Sequence, residues 1–98
     1  MILFDVREFY YLPQSLPISR LLEAQGVECR YVVYRNEDFS ELYADAVLKD
    51  SLTVHWVDTS RDALEYYLAQ SADWVFFGNK FEYLDQLHEV SKSAQLGH

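Results

Sequence analysis

The stretch from Ala72 to Asn79, with the sequence ADWVFFGN, decides the fold of this chain. Its four consecutive large apolar side chains, Trp74 to Phe77, predict a strand that is buried on both faces. Such strands are typical of parallel sheets, because helices cover both sides of those sheets. Gly78 ends the strand, and Asn79 with Glu82 has the spacing of a capping box that begins a helix. The stretch therefore predicts one strand–helix unit of an α/β protein.

Strand and helix patterns alternate along the whole chain on both sides of this stretch. Parallel pairing with right-handed crossovers is the most economical arrangement of such units. We predict a single three-layer, doubly wound, Rossmann-like α/β domain over residues 1–98, with five parallel strands in the order 3-2-1-4-5. The predicted strands are Ile2–Val6, Val27–Tyr34, Thr53–Val57, Ala72–Phe77 and Ser93–Leu96.

The four intervening helices are predicted from apolar stripes and from polar residues that can cap a first turn. Pro17 falls in the first turn of the first helix, where proline costs little, and Gly26 ends that helix. No helix covers the fifth strand, so we expect an open sheet face and a chain that is part of a longer protein or has lost a second half. The predicted caps are Ser15 for the first helix, Asp38 with Glu41 for the second, Thr59 or Ser60 for the third, and Asn79 with Glu82 for the fourth.

The composition limits the classes of function. The 98 residues carry 8 basic and 16 acidic side chains, for a net charge of −8. Nucleic-acid binding is disfavoured because it needs clustered Lys and Arg, and so is binding of this domain alone to an anionic membrane. The only cysteine, Cys29, falls in a predicted strand, which indicates a buried thiol. We predict a cytoplasmic protein, since Asp5 interrupts the first apolar run and no signal peptide or membrane span is recognisable.

A ligand crevice is predicted where the strand order reverses, because open parallel sheets bind ligands there, at the carboxyl ends of their strands. In the predicted order this crevice lies between strands one and four. The loop after strand one supplies Arg7, Glu8, Tyr10, Tyr11 and Gln14. Its tyrosines either bind a polyol or sugar or cover a sheet edge or interdomain face. Gly78 and Asn79 follow strand four at a predicted helix N-terminus, which either favours an anion or is a plain capped turn.

His98 is the sharpest candidate for acid–base chemistry. It follows a glycine at the end of predicted strand five, where it is either a general base within reach of substrate or a frayed terminal residue. We predict that His55, in an apolar strand, is structural and that His88, on a helix, packs or faces solvent. The three histidines lack metal-ligand spacing, and no P-loop or dinucleotide fingerprint is present. We therefore predict no metal and no cofactor.

Three short motifs resemble those of CDP-glycerol glycerophosphotransferase-like proteins, which belong to the GT-B glycosyltransferase group. They are residues 9–17 (FYYLPQSLP), 72–79 (ADWVFFGN) and 94–98 (AQLGH). The resemblance implies an N-terminal, acceptor-side domain that binds a hydroxyl-bearing acceptor, with the nucleotide-activated donor held mainly by a C-terminal domain that this sequence lacks. It also implies that His98 is the general base, although the glycine that follows the family histidine is missing here. Members of the family commonly make teichoic-acid-like polymers at the membrane, which implies peripheral association of the full-length protein with its inner face.

Three hypotheses about function remain open on the sequence. The first is the acceptor-binding domain of a glycosyl- or glycerophosphotransferase, inactive without its donor domain. The second is a non-catalytic, flavodoxin-like binding or self-association module, in which a homodimer would cover apolar surface. The third is a sensor that binds a small phosphate-bearing ligand in the crevice.

Overall fold

The structure, a computed structural model, describes residues 1–7, 11–35 and 52–96, and for Tyr11 the backbone only. The predicted second helix with its caps Asp38 and Glu41 lies outside these ranges, as do Tyr10 and His98. The strands within them are β1 (Ile2–Val6), β2 (Cys29–Tyr34), β3 (Val54–Val57), β4 (Trp74–Phe77) and β5 (Lys92–Gln95). The helices are α1 (Tyr11–Ala24), α2 (Ser60–Gln70) and α3 (Leu84–Leu87).

The five strands form one parallel sheet in the order β3-β2-β1-β4-β5, which confirms the predicted topology. Strand β1 is central, and its Phe4 lies opposite Tyr31 of β2 and Phe76 of β4. The chain winds outward from β1 to β3 and then returns to β4 on the other side of β1. The direction of winding therefore reverses between β1 and β4. All five strands end at the same side of the sheet, which we call the carboxyl edge; their last residues are Val6, Tyr34, Val57, Phe77 and Gln95.

Strand β1 sends alternate side chains to two separate apolar layers, as the pleat of a strand requires. Leu3 packs in one layer with Tyr67 of α2, and we call this side the α2 face. Phe4 and Val6 pack in the other layer with Leu12 of α1, and we call this side the α1 face. Strand β1 is thus buried on both faces.

The sequence of strand β4 is apolar without interruption because its side chains pack on both faces of the sheet. Val75 and Phe77 pack on the α2 face, whereas Phe76 packs on the α1 face. Both sets of side chains leave water, so alternation between polar and apolar residues would leave one layer unfilled. The thiol of Cys29 in β2 is buried, which confirms the burial predicted for it.

Helix α1 begins earlier than predicted. It starts at Tyr11, so Ser15 and Pro17 lie inside the helix. The Ser15 hydroxyl donates a 3.0 Å hydrogen bond to the carbonyl oxygen of Leu12 instead of capping a first turn. The predicted cap at Ser15 is therefore wrong. Gly26 follows the helix with φ of 84°, the left-handed conformation expected of a residue just after a helix.

The cap of helix α2 is the predicted one. Thr59 has an extended backbone, and its hydroxyl oxygen accepts a 3.1 Å hydrogen bond from the backbone N–H of Asp62. The helix ends at Ser71, a non-glycine residue with φ of 50°. None of the described helices is long and apolar enough to pass through a membrane.

Helix α3 contradicts the predicted capping box of Asn79 and Glu82. The helix starts only at Leu84, after Tyr83, and no side chain caps it. The physical reason is that the Glu82 carboxylate binds the side chains of Arg7 and Ser60 instead. Gly78 and Asn79 consequently do not lie at a helix N-terminus, and the helix dipole gives no reason to expect an anion beside them.

Candidate functional site

A small pocket opens at the carboxyl edge on the α1 face, beside the strands between which the winding reverses. Its volume is about 220 Å³, including the solvent at its mouth. Gln14 and Ser15 reach it from the first turns of α1, and Gly78 reaches it from the turn after β4. The rest of the wall is largely apolar. The lining residues are Phe4, Asp5, Val6, Gln14, Ser15, Phe76, Gly78 and Leu96.

Two of the residues predicted to bind substrate, Gln14 and Gly78, meet in this pocket. Asn79 does not line it, and in the described part of the chain the buried side-chain oxygen of Asn79 has no hydrogen-bond partner. Tyr11 begins α1, while Tyr10 and the predicted base His98 lie outside the described residues. The structure thus brings together one residue from each of the two loops that were expected to form the crevice.

The shape and lining of the pocket limit what it can bind. Most of the 220 Å³ is solvent at the mouth, and the enclosed space is about 10 Å³, room for about one water molecule, so a ligand would contact the mouth of the pocket and not its interior. The Gln14 amide can both donate and accept hydrogen bonds, whereas the Ser15 hydroxyl is already bonded to the Leu12 carbonyl. Phe76 is half-buried and offers aromatic surface to carbon atoms, whereas Phe4 is 1% exposed. The mouth of the pocket thus offers one hydrogen-bonding amide and one aromatic ring to a small hydroxyl-bearing group.

A buried carboxylate lies on the other side of the sheet at the same edge. Asp5 points to the α2 face, where its Oδ2 accepts hydrogen bonds from the hydroxyls of Tyr34 (2.9 Å) and Tyr67 (2.5 Å). Asp5 is 3% exposed, and its Oδ1 has no hydrogen-bond partner among the residues that the structure describes. Burial raises the pKa of Asp5 to about 6, although both tyrosine hydrogen bonds and the charge of Arg7 act in the opposite direction. Asp5 is therefore mostly ionised at neutral pH but releases its proton reluctantly.

The hydroxyls of the two tyrosines that bind Asp5 act as hydrogen-bond donors to it. Burial, and secondly the neighbouring Asp5 carboxylate, raises the pKa of both Tyr34 and Tyr67. Both hydroxyls therefore keep their protons at neutral pH and satisfy one oxygen of the buried carboxylate. This is the arrangement that a charge inside an apolar layer requires.

Arg7 connects this buried group with the surface of the carboxyl edge. Its guanidinium carbon lies 5.0 Å from the centroid of the Tyr34 ring, and its Nη2 donates a 2.8 Å hydrogen bond to Oε1 of Glu82. The other carboxylate oxygen of Glu82 accepts a 2.6 Å hydrogen bond from the Ser60 hydroxyl. The hydrogen bond from Ser60, more than the one from Arg7, lowers the pKa of Glu82. We call the set Asp5, Tyr34, Tyr67, Arg7, Glu82 and Ser60 the Asp5–Arg7 network.

We did not predict the Asp5–Arg7 network from the sequence. One signal was available, because an aspartate within an otherwise apolar strand must find donors if it is buried. The donors Tyr34 and Tyr67 lie 29 and 62 residues away along the chain, and no local pattern identifies them. His55 stacks on Tyr66 with 3.8 Å between ring centroids, and His88 bonds to Ser93, so neither histidine joins the network.

Comparison with known protein families, with curated proteins and with solved structures found no match for this chain. The resemblance of its three short motifs to CDP-glycerol glycerophosphotransferase-like proteins therefore stays a prediction. The parallel sheet with its strand order and flanking helices establishes a Rossmann-like fold on its own. Any statement about function has to start from the pocket and from the Asp5–Arg7 network.

Proposed function

We propose that this chain is the acceptor-binding domain of a glycosyl- or glycerophosphotransferase, and that the pocket on the α1 face holds a hydroxyl-bearing acceptor. The position of the pocket carries the proposal. It opens where β1 and β4 end, the place at which doubly wound sheets bind their ligands. Gln14 and Gly78, which lie in two of the three motifs that resemble the family, both line it.

The lining supports an acceptor of modest size. The Gln14 amide can orient a hydroxyl group through a hydrogen bond, while the half-buried ring of Phe76 contacts the carbon skeleton. Leu96 lies in the wall, and His98 is the second residue after it in the chain. Two residues span at most about 7 Å, and the proposal assigns the role of base to residue 98 on this chain distance and on the family resemblance.

The chemical step requires a donor that this domain does not hold. The His98 imidazole would take the proton of the acceptor hydroxyl, and the acceptor oxygen would form a new bond to the activated carbon or phosphorus of the donor. The bond from that atom to the nucleotide phosphate would break, and its electrons would leave with the nucleotide. A second domain would have to close over the crevice and exclude water. We expect the 98 residues alone to bind acceptor without turnover.

Nuclear magnetic resonance with glycerol tests the binding step, because glycerol is a small, neutral, hydroxyl-bearing probe. We expect glycerol to shift the side-chain amide of Gln14 and the backbone amide of Gly78. Leu96→Trp places a large ring in the pocket wall and should weaken glycerol binding by about tenfold or more. Val90→Trp is the matched control, since Val90 is exposed and does not line the pocket.

Two outcomes would overturn the proposal. One is a set of glycerol shifts that avoids the pocket residues or is the same in Leu96→Trp as in Val90→Trp. The other is turnover of a CDP- or UDP-linked donor by these 98 residues alone, because acceptor binding without a donor domain cannot account for it.

A further inference from the structure

The Glu82 carboxylate occupies a position that is built to hold an anion. A guanidinium group lies on one side of it at 2.8 Å, and a serine hydroxyl lies on the other at 2.6 Å. We propose that Arg7 and Ser60 form a binding site for the phosphate group of a ligand, and that Glu82 fills this site when the ligand is absent. The site lies on the α2 face and shares no residue with the pocket, so it does not depend on the transferase role.

Arg7 has more donor capacity than Glu82 uses. Within residues 1–7, 11–35 and 52–96, Nη2 is the Arg7 nitrogen that donates to Glu82, and Nε of Arg7 is buried with no hydrogen-bond partner. A guanidinium presents parallel N–H groups that match two oxygens of one anion, and phosphate can use both at once. A phosphate bound side-on would satisfy the Nε–H that the carboxylate leaves unpaired, and an unpaired buried donor costs free energy.

The Tyr34 ring also holds Arg7 in place. The guanidinium of Arg7 stacks over this ring, and Asp5 fixes Tyr34 by accepting a 2.9 Å hydrogen bond from its hydroxyl. Burial of Arg7 lowers its pKa, but the hydrogen bonds with Glu82 and Tyr34 outweigh this effect and the net pKa is raised. The cation is therefore permanent and already oriented, which reduces the entropy lost when a ligand binds.

Ser60 adds a second donor from a different element. It is the first residue of α2, an 11-residue helix whose amino end carries partial positive charge. Phosphate carries about 1.5 to 2 negative charges near neutral pH, against one for a carboxylate. Among the neighbouring acidic residues, Asp58 is paired with Arg35 at 3.2 Å, whereas the Asp5 carboxylate repels a negative charge at the Glu82 position, which contributes to the raised pKa of Asp5. We expect the guanidinium, the Ser60 hydroxyl and the helix end to outweigh this repulsion for phosphate.

Displacement of Glu82 should cost little. The side chain of Glu82 is 51% exposed, and that of Arg7 is 27% exposed. Ion pairs at such partly exposed positions contribute about 0–1 kcal/mol. Glu82 lies in the segment between β4 and α3, outside any helix or strand, so its side chain can turn toward solvent without breaking regular structure.

Titration with inorganic phosphate, followed by calorimetry and by the Arg7 Nε–H resonance, tests the site. We expect Glu82→Gln to bind phosphate about fivefold more tightly than the unchanged chain, since an internal competitor worth about 1 kcal/mol is removed. Glu89→Gln makes the same change in net charge at an exposed position with no contact to Arg7, and its affinity should stay within about twofold of the unchanged chain. Ser60→Ala in the Glu82→Gln background should weaken binding.

The decisive variant combines Arg7→Gln with Glu82→Gln and should no longer bind phosphate. Equal affinity of Glu82→Gln and Glu89→Gln would overturn the proposal, as would retained binding after loss of Arg7. If the double variant does not fold, the Arg7 Nε–H resonance of the Glu82→Gln variant is measured instead. Phosphate should shift this resonance, and shifts confined to other residues would overturn the proposal. Failure here leaves the glycerol result untouched, because that test follows Gln14 and Gly78 on the α1 face.

Discussion

The two faces of the sheet meet the carboxyl edge in opposite ways. On the α1 face the edge stays open, and a mostly apolar pocket lies beside Val6. On the α2 face the edge is filled by the buried carboxylate of Asp5 and the hydroxyls bonded to it. Val6 and Asp5 are neighbours in β1, and only the pleat of the strand assigns them to different sides. The pleat therefore decides which layer each side chain enters, although both residues are buried and both border the pocket.

The energetic consequences of the two faces also differ. A charge buried on the α2 face is stable only while its donors hold it, so changes there should alter the free energy of unfolding. The α1 pocket is bordered by side chains of which some, such as Gln14, are exposed. Changes at such exposed positions should alter binding and leave the free energy of unfolding nearly constant.

Asp5→Asn should have the largest effect on the free energy of unfolding, and the size of this effect should depend on pH. The pKa of Asp5 rises from its ordinary value of 3.8 to about 6 on folding. A raised folded-state pKa means that the folded chain binds the proton more tightly than the unfolded chain. The stability from this proton is thus fully present below about pH 4 and is lost as the pH rises through about 6. Relative to Asp5→Asn, the unchanged chain should lose about 3 kcal/mol over this range.

Urea unfolding of both proteins across this pH range measures the difference directly. Asp85→Asn provides the control, because Asp85 is exposed and lies outside the Asp5–Arg7 network. The control should parallel the unchanged chain at every pH. If the stability of Asp5→Asn also parallels that of the unchanged chain at every pH, the pKa of Asp5 is not raised by folding and its burial on the α2 face does not disfavour the charged form.

Tyr67→Phe should have the next largest effect. The substitution removes the 2.5 Å donor to Asp5 and leaves the ionised carboxylate with the Tyr34 hydroxyl alone. Hydrogen bonds to charged groups contribute about 1.5–3 kcal/mol, so we expect a loss of about 2 kcal/mol at neutral pH. The pKa of Asp5 should rise further, since the lost hydrogen bond was one of the contacts that lowered it.

Tyr66→Phe is the matched control on the same helix. The Tyr66 hydroxyl is part-buried and accepts a hydrogen bond from Arg30 at 3.2 Å, without contact to Asp5. Its loss should cost no more than about 1 kcal/mol. Equal destabilisation by the two substitutions would mean that the buried charge of Asp5 does not strengthen the hydrogen bond from the Tyr67 hydroxyl.

The fold was largely predictable because the features that determine it are local. The apolar run from Ile2 to Val6 gave the bounds of β1, and the uninterrupted run in β4 indicated parallel pairing. Helix starts were harder, because a serine before a proline looks the same at a cap and inside a helix. Ser15 is inside, where its hydroxyl bonds back to the Leu12 carbonyl.

The residues of the two candidate sites differ in the same way, since some could be predicted from the sequence and others could not. Gln14 and Gly78 could be predicted, since the rule that ligands bind where winding reverses names the loops once the strand order is known. The partners of Glu82 could not, because Arg7 lies 75 residues away and no periodicity links the two. That long-range ion pair also explains why the capping box failed: Glu82 cannot bind Arg7 and Ser60 and cap a helix as well. Local patterns therefore predict elements, and tertiary contacts decide between the roles that a polar residue can take.

Gln14→Ala should have the smallest effect on stability and isolates the function of the α1 face. Gln14 is exposed within α1, and alanine is the best helix former, so the free energy of unfolding should change by less than about 0.5 kcal/mol. The same change removes the amide that we expect to orient an acceptor hydroxyl, so the glycerol-induced shift of Gly78 should weaken. Urea unfolding and the glycerol titration give the two values on one protein sample. A stability loss above about 1 kcal/mol with unchanged glycerol shifts would reverse the contrast between the faces, because Gln14 would then support the fold and not the ligand.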